Sequence, residues 1–166
     1  MEKNLNSQEA VEKLQALVKN IGTCMFFTAT NEGMHNTRPM AVIEVDKNGH
    51  IWFFTSIQSA KVKDIEKNSA VHLVFAHPGK DSYLNLNGRA SIETDKKSID
   101  DKWNPIIKAW FPEGKADPNL CLLKVKTDEA HYWDSTSTKM VEMLKVVASV
   151  VSGKQLADGI HGDLLV

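Results

Sequence analysis

The sequence predicts a mainly β protein, an antiparallel barrel with helices packed against its outside. Three observations carry this. Apolar runs of strand length recur along the chain, separated by turn sequences such as NEGM, DKNG and HPGKDS. One run, YLNLNGRASIE, alternates strictly, with Leu84, Leu86, Gly88, Ala90 and Ile92 to one side and Tyr83, Asn85, Asn87, Arg89 and Ser91 to the other. Helical spacing is confined to a few segments at the ends and between strands, which argues against a doubly wound parallel sheet.

The elements follow in order. NSQEAVEKLQALVKNIG predicts a helix over 7–21, capped by Asn6 or Ser7 and stopped by Gly22, with Ala10, Val11, Leu14, Leu17, Val18 and Ile21 on one stripe. CMFFTAT, RPMAVIEV and HIWFFTS read as strands, the last two joined as a hairpin through DKNG. A short helix opens at Ser59, and AVHLVFA and YLNLNGRASIE are the next strands. In DKKSIDDKWNPIIKAWFPEG, Pro105 forbids one smooth helix, but Asn104 before it caps a second. NLCLLKVKT and AHYWDS form one or two late strands. TSTKMVEMLKVVASVVSGK predicts a helix over about 138–152, although its valines also suit a strand. Beyond its turn glycines, the tail QLADGIHGDLLV carries no clear pattern. No repeat or linker divides residues 1–166, so one domain is expected.

Composition narrows the function. Lys+Arg number 20 against 21 Asp+Glu, so no basic excess points to nucleic acid. No apolar run has the length of a membrane span, and the first residues lack a signal-peptide core. With Cys24 and Cys121 read as buried, reduced thiols, a cytoplasmic protein is expected. The six histidines show no HxH or HxxxH spacing, no CxxC occurs, and no metal site is expected. His72 alternates with Val71 and Leu73 and reads as a hydrogen-bonded or solvent-facing strand residue.

The stretch FFTSIQSAK gathers chemistry where a strand gives way to a helix. Thr55, Ser56 and Ser59 each carry a hydroxyl, the first helical amides have no intrahelical partner, and Lys61 adds a full positive charge. Together they suit a dianionic phosphate. The same residues also fit a capped helix and a turn, with Lys61 in water. Arg38, in NTRPM, would reach this cluster through the DKNG hairpin, or would pair with an acid at the surface.

TRPM, WFFTSIQSAKVKDIEKNSAVHLVF, LNGRASIE, WFPEGKADPNLCLLKV and YWD, in this order and spacing, resemble the pyridoxamine 5′-phosphate oxidase-like FMN-binding split barrels, and within them the general stress protein 26 group. The resemblance covers roughly residues 8–135. It implies a six-stranded antiparallel split β-barrel and a homodimer with FMN between subunits. Arg38, Pro39 and Met40 would line the flavin. Phe54 and Thr55 match the aromatic-threonine pair beside the ribityl phosphate, with Ser56 next to them, and Ser59 and Lys61 match the serine and lysine that hold it. Tyr83 stands where oxidase members place a glutamine from across the cleft. Trp110 and Trp133 would reach the flavin from the partner subunit, or pack as core aromatics.

Departures from the oxidases bear on activity. They carry Arg-Lys after the serine, where this chain has Ala60-Lys61, and a lysine for the substrate phosphate where it has Ile43. Their substrate-binding Tyr, Arg and Ser helix has no counterpart between Ser91 and Asn119. The resemblance thus implies an FMN-dependent oxidoreductase that does not act on pyridoxamine phosphate, with a nicotinamide cofactor or another reductant as electron donor. The alternative is a flavin-binding stress protein without turnover, a sensor or cofactor store. A deazaflavin or haem is the further option within the fold.

Overall fold

Ala10, Val11, Leu14, Leu17 and Val18 recur at helical spacing and are all buried beneath helix α1 (Ser7–Ile21). The protein is seen in a computed structural model that describes residues 5–30, 33, 35–134 and 160–165. Gly22 ends the helix at φ 79°, a left-handed conformation that costs glycine little. The predicted helix over 138–152 lies outside the described residues. Among the described residues, no helix is long and apolar enough to cross a membrane.

The strands are β1 (Leu5–Asn6), β2 (Thr23–Ala29), β3 (His35–Ala41), β4 (Glu44–Val45), β5 (Ile51–Ser56), β6 (Ala70–His77), β7 (Ser82–Glu93), β8 (Leu120–Asp134) and β9 (Ile160–Leu165). They form one curled sheet in the order β1-β9-β8-β7-β6-β2-β3, with β5 joining β8 and β4 joining β5. The long strands β2, β3, β5, β6, β7 and β8 make the split β-barrel, and β1 and β9 extend its edge. Of the one or two late strands expected from sequence the structure has one, β8, and the tail without pattern contributes β9.

Alternation places the core. Leu84, Leu86 and Ala90 of β7 are buried while Tyr83, Asn87, Arg89 and Ser91 are exposed, as period two requires. They meet Phe26, Leu73, Phe75, Leu123 and Val125 inside the barrel, where Phe26 and Phe53 pack edge to face at 5.3 Å. Gly88 sits at a bulge against β8, where a Cβ would lie 2.4 Å from the Lys126 carbonyl oxygen.

Strand β5 is buried on both faces. Ile51 and Phe53 point into the barrel, while Trp52 and Phe54 pack on Ile99, Trp103, Ile107 and Phe111 of the outer segment. That segment is α3 (Lys96–Lys102) followed by a 3-10 turn, Pro105–Ala109, capped by Asn104 accepting from the Ile106 amide at 3.0 Å.

One expectation needs correction. RPMAVIEV does not pair along its length with HIWFFTS. Only Glu44 and Val45 face Trp52 and Ile51, joined by the Ile43 amide on the Trp52 carbonyl at 2.9 Å. Residues 35–41 pair with β2 instead, because the chain turns away at Val42, whose amide goes to the Gly22 carbonyl at 2.9 Å. β3 and β5 are therefore joined by the chain at one end and unpaired at the other. That gap is the split in the barrel.

Candidate functional site

The gap between β3 and β5 is a cavity of about 540 Å³. Its walls are Arg38–Ala41 from β3, Phe54–Ser56 from β5, Ser59 and Lys61 at the start of helix α2 (Ala60–Lys67), and Ile107, Trp110 and Phe111 from the outer segment. Ile43, Asp117 and Asn119 complete it. Thus Arg38, Pro39, Met40, Phe54, Thr55, Ser56, Ser59, Lys61 and Trp110 share one cavity of a single chain. Arg38 reaches it although the hairpin expected to carry it there is broken, since the chain leaves β5's partner and still runs alongside the gap.

Tyr83 and Trp133 are elsewhere. They are cross-strand neighbours on the outer face of β7 and β8, both exposed, on the face that also carries Met25. The cavity residues not expected from the sequence are Ile107, Phe111, Asp117 and Asn119. Ile107 and Phe111 had a signal in their spacing of four, which reads equally as helix packing.

The cationic end is assembled by α2. Lys61 Nζ donates to Thr55 Oγ1 at 2.9 Å, which holds the ammonium over the end of β5. Burial, and then repulsion from Arg38, lowers the Lys61 pKa. No carboxylate of the described residues lies within ion-pair distance of Lys61. Ser59 occupies the N-cap position with extended backbone, φ -68° and ψ 150°, yet its side chain makes no cap hydrogen bond. Its Oγ is buried and finds no partner among the described residues. An orphaned hydroxyl there is costly unless a ligand accepts from it. The first amides of α2 point the same way by helix geometry. Ser56 Oγ is engaged, accepting from the Gln58 amide at 3.3 Å.

Arg38 stands opposite, its guanidinium part-buried. Burial lowers its pKa and the nearby Asp64 only partly offsets this; the guanidinium stays charged because arginine starts so high. The rest of the lining is apolar, apart from Asp117 and Asn119, where Asp117 Oδ1 accepts from the Asn119 amide at 2.9 Å in a turn. The lining contains no histidine and no cysteine. Cys121 lies behind Thr55, fully buried, its thiol pushed up to about 11 by burial, so it stays protonated and is no nucleophile. No group of residues suited to a metal ion occurs among the described residues.

The model of the family described as pyridoxamine 5′-phosphate oxidase like matches residues 9–157. The chain belongs to this family. It is 28% identical over 127 residues to protein bli-3 of Neurospora crassa, and 31% identical over 78 residues to general stress protein 26 of Bacillus subtilis. These matches take in 71% and 45% of the chain, and 61% and 55% of the two relatives, so the chain spans little more than half the length of each. The crystal structure of the general stress FMN/FAD binding protein from Xanthomonas citri superposes with a TM-score of 0.67 at 32% identity, over 80% of this chain and 93% of that one. The family's split barrel is the fold of this chain.

Proposed function

We propose that the cavity binds FMN and that the protein uses the flavin for redox work. The observation that carries this is the cationic end: among the described residues, Lys61 is held on Thr55 with no acid in ion-pair range, beside a serine hydroxyl with no hydrogen-bond partner at a helix N-terminus. Hydroxyls, amides and a lysine converging on one point suit a terminal phosphate. The name of the Xanthomonas citri protein supports a flavin as the molecule that carries it. Lys61, Thr55, Ser59 and Arg38 would hold the phosphate. Pro39–Ala41, Phe54 and Trp110 would flank the ring, which suits the apolar part of the lining.

When bound, the flavin supplies one- or two-electron transfer. The chain's part is to bind, to orient the ring against β3 and to exclude water with Ile107, Trp110 and Phe111. Ile43 adds no cation to the lining, so a second phosphate finds no partner there. This supports a substrate other than pyridoxamine phosphate. A second reading has its own support. Among the described residues of the lining, Asp117 is the one carboxylate and its Oδ1 is held in a turn; a lining this poor in acids and without histidine suits a flavin-binding stress protein without turnover.

A homodimer is part of the proposal. Trp110 at the cavity mouth is 68% exposed, and Met25, Tyr83 and Trp133 lie uncovered on one outer sheet face. A second copy would cover both.

The test is spectroscopic. Purified protein mixed with FMN should show a shifted flavin spectrum, bleach with NADH or NADPH, and recover in air. A bound flavin that no nicotinamide reduces would favour the second reading. No change of spectrum on adding FMN would contradict both.

A further inference from the structure

Arg38 is not free to choose its direction. Its Nη1 donates to Thr28 Oγ1 at 2.8 Å and to the Phe26 carbonyl oxygen at 3.4 Å, and its Nη2 lies 3.8 Å from Asp64 Oδ2. Thr28 is fully buried on β2. Its single hydroxyl proton goes to Asp64 Oδ2 at 2.7 Å, because the carboxylate only accepts. The hydroxyl oxygen is thereby turned to accept from Arg38. Asn36 Nδ2 donates to the same Asp64 oxygen at 3.1 Å. These bonds from Asn36 and Thr28 hold the Asp64 carboxyl below its ordinary pKa, and Arg38 adds to them.

The placement of Asp64 is informative. It lies three residues after Lys61 on α2, a spacing at which an ion pair forms readily. Instead the carboxylate turns to Thr28, Asn36 and Arg38, and Lys61 reaches Thr55. One helix therefore presents Lys61 to the cavity without neutralising it. One turn further along, through Asp64, it fixes the arginine across the gap.

We propose that Thr28 and Asp64 are positioning residues, which set Arg38 for the phosphate of the bound ligand; this rests on the flavin reading above. Neither residue lines the cavity. Their effect is exerted through Arg38, by holding the guanidinium in the pose that meets an anion rather than leaving it to solvent.

The experiment compares FMN with riboflavin, which lacks the phosphate, by fluorescence titration of each variant. The readout is the preference for FMN, so riboflavin binding is an internal control for folding. Thr28→Val keeps shape and charge but removes the hydroxyl, and should lower the FMN preference roughly five-fold or more. Thr28→Ser should keep it near wild type. Asp64→Asn, which leaves the core untouched, should lower it as well. On an Arg38→Ala background, Thr28→Val should lower it no further. An unchanged preference in Thr28→Val overturns the proposal. So does a raised preference in Asp64→Asn, which would mean that the carboxylate only damps the arginine's charge. Wild-type protein that prefers FMN while Thr28→Val keeps that preference sinks this inference alone. Wild-type protein that binds neither flavin sinks it together with the proposed function.

Discussion

Ser59 stands at the N-cap of α2, and its hydroxyl caps nothing. Replacing an N-cap serine with alanine ordinarily costs about 0.5–2 kcal/mol. Here Ser59→Ala should leave the melting temperature unchanged or raise it, since it removes a buried polar group with no partner. The same variant should lose FMN affinity a few-fold. A clear fall in melting temperature with unchanged FMN affinity would make the hydroxyl a cap after all. Lys61→Ala should weaken FMN by at least a few-fold. A charge-assisted phosphate contact is worth roughly 1.5–3 kcal/mol, less where the cavity admits water. Unchanged affinity in a flavin titration would count against the site.

The lysine also sets a pH dependence. Burial, then Arg38, lowers its pKa. A phosphate prefers the protonated ammonium, so FMN binding is full while Lys61 is charged and weakens as pH rises through its pKa, below the ordinary lysine range. Lys61→Arg should hold affinity to higher pH. Wild type and Lys61→Arg losing FMN at the same alkaline pH would assign the loss to another group.

At the scale of elements, the DKNG turn shows how local chemistry fixes geometry. Asp46 Oδ1 accepts from the Asn48 and His50 amides at 2.9 and 3.0 Å, and Oδ2 accepts from Trp52 Nε1 at 3.0 Å. Burial pushes the Asp46 carboxyl up, but the bonds from Trp52, His50 and Asn48 outweigh it and its pKa is lowered. The stabilisation is therefore present above about pH 4 and is lost as pH falls through the folded pKa. Asp46→Ala should cost about 1–3 kcal/mol in denaturant melts near neutral pH, and less in acid. An equal cost at both pH values would mean that the charge is not involved.

Much of this level was legible. β7 showed its two faces because one is buried, and Asn104-Pro105 announced its turn. The extent of the β3–β5 pairing was not legible. A hairpin turn reports that two strands meet, and says nothing of where they part. The parting is set by the Val42 amide finding Gly22, a partner twenty residues away in the chain. β9 escaped notice because IHGDLL has a central glycine and no strict alternation; its strand depends on the edge that β8 offers. At the site, FFTSIQSAK displayed its hydroxyls and its lysine within one short run. Thr28 and Asp64 could not be read beside Arg38, since only the tertiary fold joins them.

Across the whole molecule, the order and spacing of short motifs spoke for the family more clearly than any one of them. The resemblance also implies a pair of subunits, and the homodimer remains part of the proposal. Light scattering of the FMN-loaded protein should give twice the chain mass. Trp133→Glu, which places a charge on the outer sheet face, should shift it toward monomer and expose the flavin to quenching. A wild-type monomer that binds FMN tightly would contradict the dimer.

If the gap between β3 and β5 grips a phosphate, wild-type protein titrated with FMN and with riboflavin should prefer FMN at least ten-fold. Equal affinity for the two flavins, or no binding of either, would contradict it.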